Sequence, residues 1–293
     1  MAAAEVLARG AALQAATRRL RDAGSPSARL DAEVLLAFMT GVDRATLLAH
    51  PEAPFGDSAA YDALVGRRAA GEPIAYIRGF KEWHSLRIRT DARALIPRPE
   101  TELLADAAGD AIAERLARGG LVVWEVATGS GAVTVALALR FTEPLRDGRL
   151  RLMATDISPD ALGLAHENLA AHGVGDVVTL AEADLLGGAG GELPRPDVVI
   201  ANLPYVASAE VDERRGSLGY EPRIALDGGP DGLRLLRRLM AELPERAAPG
   251  ANVFLEIGVG QVDAIRGIAP AGASVEVVPD LAGLDRVVRL QLA

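Results

Sequence analysis

Apolar side chains recur at steps of three and four along the first quarter of the chain, as in Leu30, Val34, Leu35 and Phe38 and again in Tyr61, Leu64 and Val65. That spacing lays them along one face of a helix. Gly24-Ser25-Pro26 and His50-Pro51-Glu52-Ala53-Pro54 interrupt the pattern, so residues 1–75 predict a small helical bundle whose second helix starts at Ser27 or Asp31. From Pro73 to Pro99 the pattern turns strand-like. Ile74, Tyr76 and Ile77 are followed by Leu86, Ile88 and a polar turn at Thr90-Asp91, which predicts a β-hairpin linker over residues 76–99. A helix is expected again from Glu100 to Ala117.

Beyond Leu121, strands and helices alternate. Strands are expected at Leu121–Val126, Leu150–Asp156, Val177–Ala181, Asp197–Asn202 and Asn252–Gly258, with helices at Gly131–Leu139, Pro159–His172 and Asp231–Arg246. Two last strands, Ser274–Val278 and Arg286–Leu292, are placed to pair antiparallel. Such alternation implies an α/β domain over residues 100–293, a mostly parallel sheet with helices on both faces. No internal repeat is evident, and the one small-residue tract is Gly187–Gly191.

Composition narrows the class. At 293 residues with 49% apolar side chains, the chain suits two domains with a sizeable core. No apolar run approaches the roughly 18–20 residues of a membrane span. Met1–Gly10 reads as an Ala-rich helix pattern without the basic start and apolar centre of a signal peptide. The absence of cysteine removes disulfides, thiolate nucleophiles and cysteine-held metals, and no metal site is expected. A cytoplasmic monomer is the default. The net charge of −9 argues against a broad nucleic-acid-binding face. Lys81 is the only lysine, and the arginines are spread along the chain.

The first strand of the α/β region runs straight into Glu125-Val126-Ala127-Thr128-Gly129-Ser130-Gly131. Gly129 and Gly131 permit a tight turn and close approach of a ligand to the main chain. The next strand ends in Asp156, where a carboxylate can accept both ribose hydroxyls of a nucleoside. Position 134 is threonine where a dinucleotide fingerprint has its third glycine, which disfavours a pyrophosphate. S-Adenosylmethionine has no phosphate, and its positive charge tolerates an acid such as Glu125. Asp184, after the third strand, is placed to accept from an adenine amino group, with Leu185 packing on the ring.

The fourth strand ends in Asn202-Leu203-Pro204-Tyr205. An amide or aromatic amine nitrogen is a poor nucleophile because its lone pair is delocalised. Acceptors that hold both its N–H groups can turn the lone pair towards a methyl group. The Asn202 side-chain oxygen and a main-chain carbonyl of Leu203-Pro204 can do this. Pro204 biases Leu203 towards an extended conformation, and the Tyr205 ring can stack on a flat group. No general base is needed, since the proton becomes acidic once the nitrogen is methylated. Elsewhere, Gly228-Gly229-Pro230-Asp231-Gly232 could cradle an anion, but reads rather as a helix-start turn. His84, His166 and His172 read as surface or cap residues, Trp83 and Trp124 as packing, and Arg67 and Arg68 as a solvated helix face.

With these motifs in hand, the chain resembles the release factor glutamine methyltransferases of the class I (Rossmann-like) methyltransferase superfamily. The likeness spans nearly the whole length. It includes Gly71-Glu72-Pro73-Ile74-Ala75-Tyr76-Ile77 with Lys81-Glu82-Trp83, then Leu95-Ile96-Pro97-Arg98-Pro99-Glu100-Thr101-Glu102. Later come Tyr220-Glu221-Pro222, Ala225–Leu233 and Glu256-Ile257-Gly258 with Gln261. From the residues alone, the Ile-Pro-Arg-Pro-Glu-Thr-Glu segment reads only as a rigid linker entering a helix, with Glu100 and Glu102 favourable near its start. The resemblance implies a helical N-terminal domain that docks a peptide chain release factor, and transfer to the glutamine amide of that factor's Gly-Gly-Gln loop. It also implies that Ala127, Thr128, Gly129, Ser130, Gly131, Asp156, Leu185 and Asn202 contact the cofactor, and that Asn202 to Tyr205 hold the glutamine. The family's usual Asn-Pro-Pro-Tyr is Asn-Leu-Pro-Tyr here, and Ala127 stands where glycine is usual. Asn-Leu-Pro-Tyr also resembles the ribosomal RNA adenine dimethyltransferases. Adenine in RNA or DNA is therefore the alternative acceptor, and a ribosomal-protein glutamine is a further one.

Overall fold

The computed structural model describes residues 8–188, 193–214 and 216–293. Most of the Met1–Gly10 pattern and of the Gly187–Gly191 tract falls outside them. The described residues form two compact units. One comprises those up to Phe80 together with those of Arg214–Tyr220; the other comprises Lys81–Glu213 and Glu221–Ala293.

The first unit is built from α1 (Arg9–Asp22), α2 (Ala28–Thr40), α3 (Arg44–Ala49), α4 (Ser58–Ala69) and α5 (Ile74–Arg78). Asp43 and Asp57 begin α3 and α4 by accepting from the N–H groups of Thr46 and Ala60 at 2.9 Å each, which satisfies donors left open at a helix start. The apolar faces meet in a core containing Leu13, Leu20, Leu35, Leu36, Tyr61 and Val65. The Tyr61 hydroxyl donates to the Ala32 carbonyl at 2.8 Å, so its polar end is satisfied where it is buried. Ile74, Tyr76 and Ile77 do not form the expected strand. Pro73 precedes a helical turn and Gly79 ends it in the left-handed region at φ +76°. A five-residue stretch is too short for periodicity to separate strand from helix, and the glycine supplies the stop.

Arg214–Tyr220 lies late in the chain yet packs within this first unit. Arg68 pairs with the buried Asp31 at 2.7 Å and donates to the Ser217 hydroxyl at 2.9 Å. The Tyr220 hydroxyl donates to the Ala70 carbonyl at 3.0 Å. A side chain on Gly71, at φ +100°, would come within 3.4 Å of the Gly216 Cα. Arg68 is therefore held in the unit and is not the solvated residue expected.

Next, β1 (Phe80–Trp83) and β2 (Leu86–Arg89) form a two-stranded hairpin. Its turn is His84-Ser85, both at positive φ, not the Thr90-Asp91 that sequence suggested. The Trp83 indole donates to the Arg98 carbonyl at 2.7 Å, anchoring the proline-rich segment before α6 (Glu100–Leu116).

The α/β layer follows with β3 (Leu121–Val126), α7 (Ala132–Arg140), α8 (Thr142–Arg146), β4 (Leu150–Asp156), α9 (Pro159–Ala171), β5 (Val178–Asp184) and the two-residue β6 (Gly187–Gly188). It continues with β7 (Val198–Ala201), α10 (Ser208–Glu213), α11 (Arg234–Arg246), β8 (Asn252–Glu256), α12 (Val262–Ile268), β9 (Ser274–Pro279) and β10 (Asp285–Gln291). Among the described residues the sheet order is β6-β5-β4-β3-β7-β8-β10-β9. Strands β5, β4, β3, β7 and β8 run parallel, and the closing β10–β9 pair is antiparallel, as the sequence pattern implied. Sequence gave no sign of α8, α10 or α12, each seven residues or fewer.

Every residue of β3 is buried. Leu121 and Val123 enter a core with α6 and α7, while Val122, Trp124 and Val126 enter a second core with α11. A strand covered on both faces reads as a continuous apolar run for this reason. On α11, Leu236, Leu239, Met240 and Leu243 form the buried stripe. The chain steps from β3 outward to β4 and β5, then returns to β7 on the other side of β3. That reversal opens a crevice at the carboxyl ends of the strands, where open α/β sheets bind ligands.

Candidate active site

The loop leaving β3 alternates left-handed residues, with Ala127 at φ +57°, Gly129 at +55° and Gly131 at +76°. Glycine at 131 has a spatial reason as well, since a Cβ there would lie 3.0 Å from the Ala165 Cβ of α9. Ala127 takes the same backbone region with a side chain, which costs about 1–2 kcal/mol. At the tip of β4, Asp156 Oδ2 accepts the Gly129 N–H and Oδ1 the Ser158 N–H, both at 2.9 Å. Burial pushes the Asp156 carboxyl above its usual range despite these donors.

Glu125, inside β3, is buried at the base of the cleft. One of its oxygens accepts from the hydroxyls of Thr128, at 2.9 Å, and Thr134. Burial is the main cause that pushes its carboxyl up to about 7; the two threonines oppose it and the Asp156 charge adds to it. Thr134, read from sequence only as a missing glycine, thus has a positive role. Its position on the first turn of α7, nine residues after Glu125, was the available signal.

Asp184 closes β5 at the edge of the cleft, half-exposed, with Oδ2 accepting from Arg238 at 2.9 Å. Leu185 follows in the left-handed region at φ +56° and is buried.

Asn202 follows β7 directly. Its Nδ2 donates to the Thr101 hydroxyl at 3.2 Å, and Oδ1 accepts no hydrogen bond among the described residues. The main chain of Pro204 and Tyr205 is embraced by the glycine loop. A Cβ on Gly228 would lie 2.6 Å from the Pro204 oxygen, and one on Gly232 would lie 2.2 Å from the Tyr205 oxygen. Gln261 Nε2 also donates to the Tyr205 oxygen, at 3.1 Å. Gly228–Gly232 is therefore a close-packing surface for this tip, a role not foreseen for it. Tyr205 does not line the cleft. Its hydroxyl donates to Glu256 Oε1 at 3.2 Å, and burial with the nearby Glu256 charge pushes the phenol up.

These elements surround one cleft of about 600 Å³ inside the second unit, a size suited to a nucleoside cofactor. It brings together Glu125, Ala127, Thr128, Gly129, Ser130, Asp156, Asp184, Leu185, Asn202, Leu203 and Pro204, leaving Gly131 and Tyr205 outside the lining. Pro97, Arg98 and Thr101 with Pro222–Ala225 also line it; sequence marked most of these only as motifs of the resemblance and gave them no part in the cleft. There Glu221 accepts from Arg98 at 2.6 Å and from the Ile96 N–H at 3.1 Å. The donor set fits S-adenosylmethionine. A buried acid beneath the glycine turn repels phosphate and suits a cation, and each Asp156 oxygen keeps acceptor capacity beyond its main-chain bond. Among the described residues no cluster of side chains suits a metal ion, and no helix is long and apolar enough to cross a membrane.

A family model described as the PrmC N-terminal domain matches residues 11–79. The chain is 38% identical to the release factor glutamine methyltransferase of Moorella thermoacetica over 281 residues, covering 94% of this chain and 95% of that protein. It belongs to the release factor glutamine methyltransferase family. The family member from Koribacter versatilis is 36% identical, again over 94% of this chain and 96% of its own length. Among solved structures, the hMettl16 catalytic domain in complex with the MAT2A 3'UTR hairpin 6 aligns with a TM-score of 0.52 at 13% identity. The alignment covers 78% of this chain and 82% of that one, a likeness of fold alone. The cofactor of this methyltransferase is accordingly S-adenosylmethionine.

Proposed function

We propose that this enzyme methylates the side-chain amide nitrogen (N5) of the glutamine in the Gly-Gly-Gln loop of a peptide chain release factor. The observation carrying the reading is the state of Asn202 at the cleft. Its NH2 is turned to Thr101 and donates one hydrogen there, while Oδ1 accepts no hydrogen bond among the described residues and is open to a donor. S-Adenosylmethionine, when bound, supplies a methyl group on a positively charged sulfur. Asp156 would hold the ribose hydroxyls, Ala127 to Gly131 would meet the cofactor with main chain, and Asp184 and Leu185 would border the adenine. Glu125 would balance positive charge. Asn202 Oδ1 and a carbonyl of Leu203-Pro204 would accept the two N–H groups of the glutamine amide, directing its lone pair at the methyl group. The proton leaves after the nitrogen is methylated, so no side chain need act as base.

The helical residues 1–75 are read as the release-factor docking domain, residues 76–99 as the linker and residues 100–293 as the catalytic domain. The enzyme is read as a cytoplasmic monomer without stable nucleic-acid binding, in keeping with its charge of −9 and a substrate in translation. Adenine in RNA or DNA stays the second reading because of Asn202-Leu203-Pro204-Tyr205.

The test is a side-by-side assay with labelled methyl donor, the cognate release factor, its Gly-Gly-Ala variant and ribosomal RNA. Label on the intact factor alone is expected; label on the Gly-Gly-Ala variant or on RNA would overturn the reading. Asn202→Ala should lower kcat by about 100-fold or more and change cofactor affinity far less.

A further inference from the structure

The Ile-Pro-Arg-Pro-Glu-Thr-Glu segment explains itself from sequence only as a stiff entry into α6, yet its threonine touches the acceptor tip. Thr101 stands in the first turn of α6, and Glu256 is the last residue of β8. Asn202 lies one residue beyond the register pair Ala201–Leu255 of β7 and β8. The Thr101 hydroxyl donates to Glu256 Oε2 at 2.6 Å and accepts from Asn202 Nδ2 at 3.2 Å. The other Glu256 oxygen accepts the Tyr205 hydroxyl at 3.2 Å. One buried carboxylate therefore holds both ends of the Asn202–Tyr205 tetrapeptide.

We propose that Thr101 and Glu256 are positioning residues for the acceptor, fixing which end of the Asn202 amide faces the cleft. The proposal rests on Asn202 being the group that holds the glutamine. A hydroxyl has a single proton. Thr101 spends it on the carboxylate, which in its ionised form can only accept. The Thr101 oxygen is then left able only to accept, and Asn202 must present its NH2 to it. The amide oxygen is thereby turned to the opposite side, the orientation that an incoming NH2 group requires. Reverse the polarity of this chain and two NH2 groups would meet. Glu256 is 1% exposed; burial pushes its carboxyl up, and the Thr101 and Tyr205 hydroxyls together with the Arg286 charge favour the ionised form.

The experiment compares Thr101→Val, Thr101→Ser, Asn202→Ala and the Thr101→Val/Asn202→Ala double variant in the full-length enzyme. Single-turnover methyl transfer to the release factor is measured alongside KM for the factor and calorimetric affinity for S-adenosylmethionine. Thr101→Val should lower the rate about 10- to 100-fold, the scale of a misplaced positioning group, with KM and cofactor affinity nearly unchanged. Thr101→Ser should recover most of that loss. In the Asn202→Ala background, adding Thr101→Val should cost less than about twofold, because nothing remains to orient. Glu256→Gln, which keeps the shape but adds a donor, should match Thr101→Val and serves if the valine variant fails to fold. Thr101→Val at the wild-type rate, a serine variant as slow as the valine, or an equal loss in both backgrounds would each overturn the proposal. If Asn202→Ala itself kept the wild-type rate, the acceptor reading would fall and this proposal with it. A crippled Asn202→Ala beside an unaffected Thr101→Val would sink this proposal alone.

Discussion

The Gly129 main-chain N–H donates to Asp156 at 2.9 Å, so the tip of β4 holds the turn that leaves the neighbouring tip of β3. The other Asp156 oxygen is held by the Ser158 N–H. Asparagine at this position has one oxygen for two main-chain donors and would set its NH2 against one of them. Asp156→Asn should therefore weaken S-adenosylmethionine binding by about tenfold or more, on the scale of 1–3 kcal/mol for a buried donor left unpaired. Isothermal titration calorimetry reads this directly. Unchanged affinity would refute the ribose role.

Glu125 makes stability depend on pH. Its folded-state carboxyl sits near 7 because of burial, above the value in an unfolded chain, so the folded form holds a proton the unfolded form has released. The stability this gives is fully present below about pH 4.5 and is lost as pH rises through about 7. The difference is on the order of 3 kcal/mol at about 1.4 kcal/mol per pH unit. Glu125→Gln should flatten that fall in thermal melts of the cofactor-free enzyme between pH 5 and 8, while weakening S-adenosylmethionine binding at pH 8. A variant melting with the wild-type pH profile would contradict this.

Ala127 sits at φ +57°. Relief of left-handed strain is worth about 1–2 kcal/mol, and the freer unfolded chain of a glycine variant returns about 0.4–1 kcal/mol of that. Ala127→Gly should raise Tm by roughly 1–3 °C. A lower Tm would show that the alanine methyl contributes packing that outweighs the strain.

Leu203 is 1% exposed and packs in the core beside α11. The departure from Asn-Pro-Pro-Tyr thus fills space in the interior. Leu203→Pro should cost roughly 1–3 kcal/mol of stability through the lost side-chain volume, with methyl transfer kept within about fivefold because Asn202 and Pro204 are untouched. Denaturant melts and rate measurements separate the two effects. A collapse of the rate would assign the acceptor geometry to the leucine main chain.

The parallel strands, the glycine turn, Asp156 and the Asn202 tip were legible in the sequence because each leaves a local mark: an apolar run, a glycine pair, a residue at a strand end. Ile74–Arg78 was not, since five residues carry too little periodicity. Thr101 and Glu256 were invisible as a pair for another reason. They lie 155 residues apart, one in the first turn of α6 and the other at the end of β8, and only the packing of that helix against the sheet brings them together. Gly228–Gly232 was legible only in part: it is the turn before α11 that sequence suggested, but its glycines also answer to the carbonyls of Pro204 and Tyr205, which lie far from it in the chain.

The late excursion whose described residues, within Arg214–Tyr220, pack with the helices near the start of the chain has a practical corollary. No single scission divides this enzyme into its two halves. A fragment beginning at Lys81 would still carry Ser217 and Tyr220, stripped of the Arg68 guanidinium and Ala70 carbonyl that now engage them. Between Glu213 and Glu221, such a truncation would leave an orphaned ribbon feeding straight into the acid that grips Arg98.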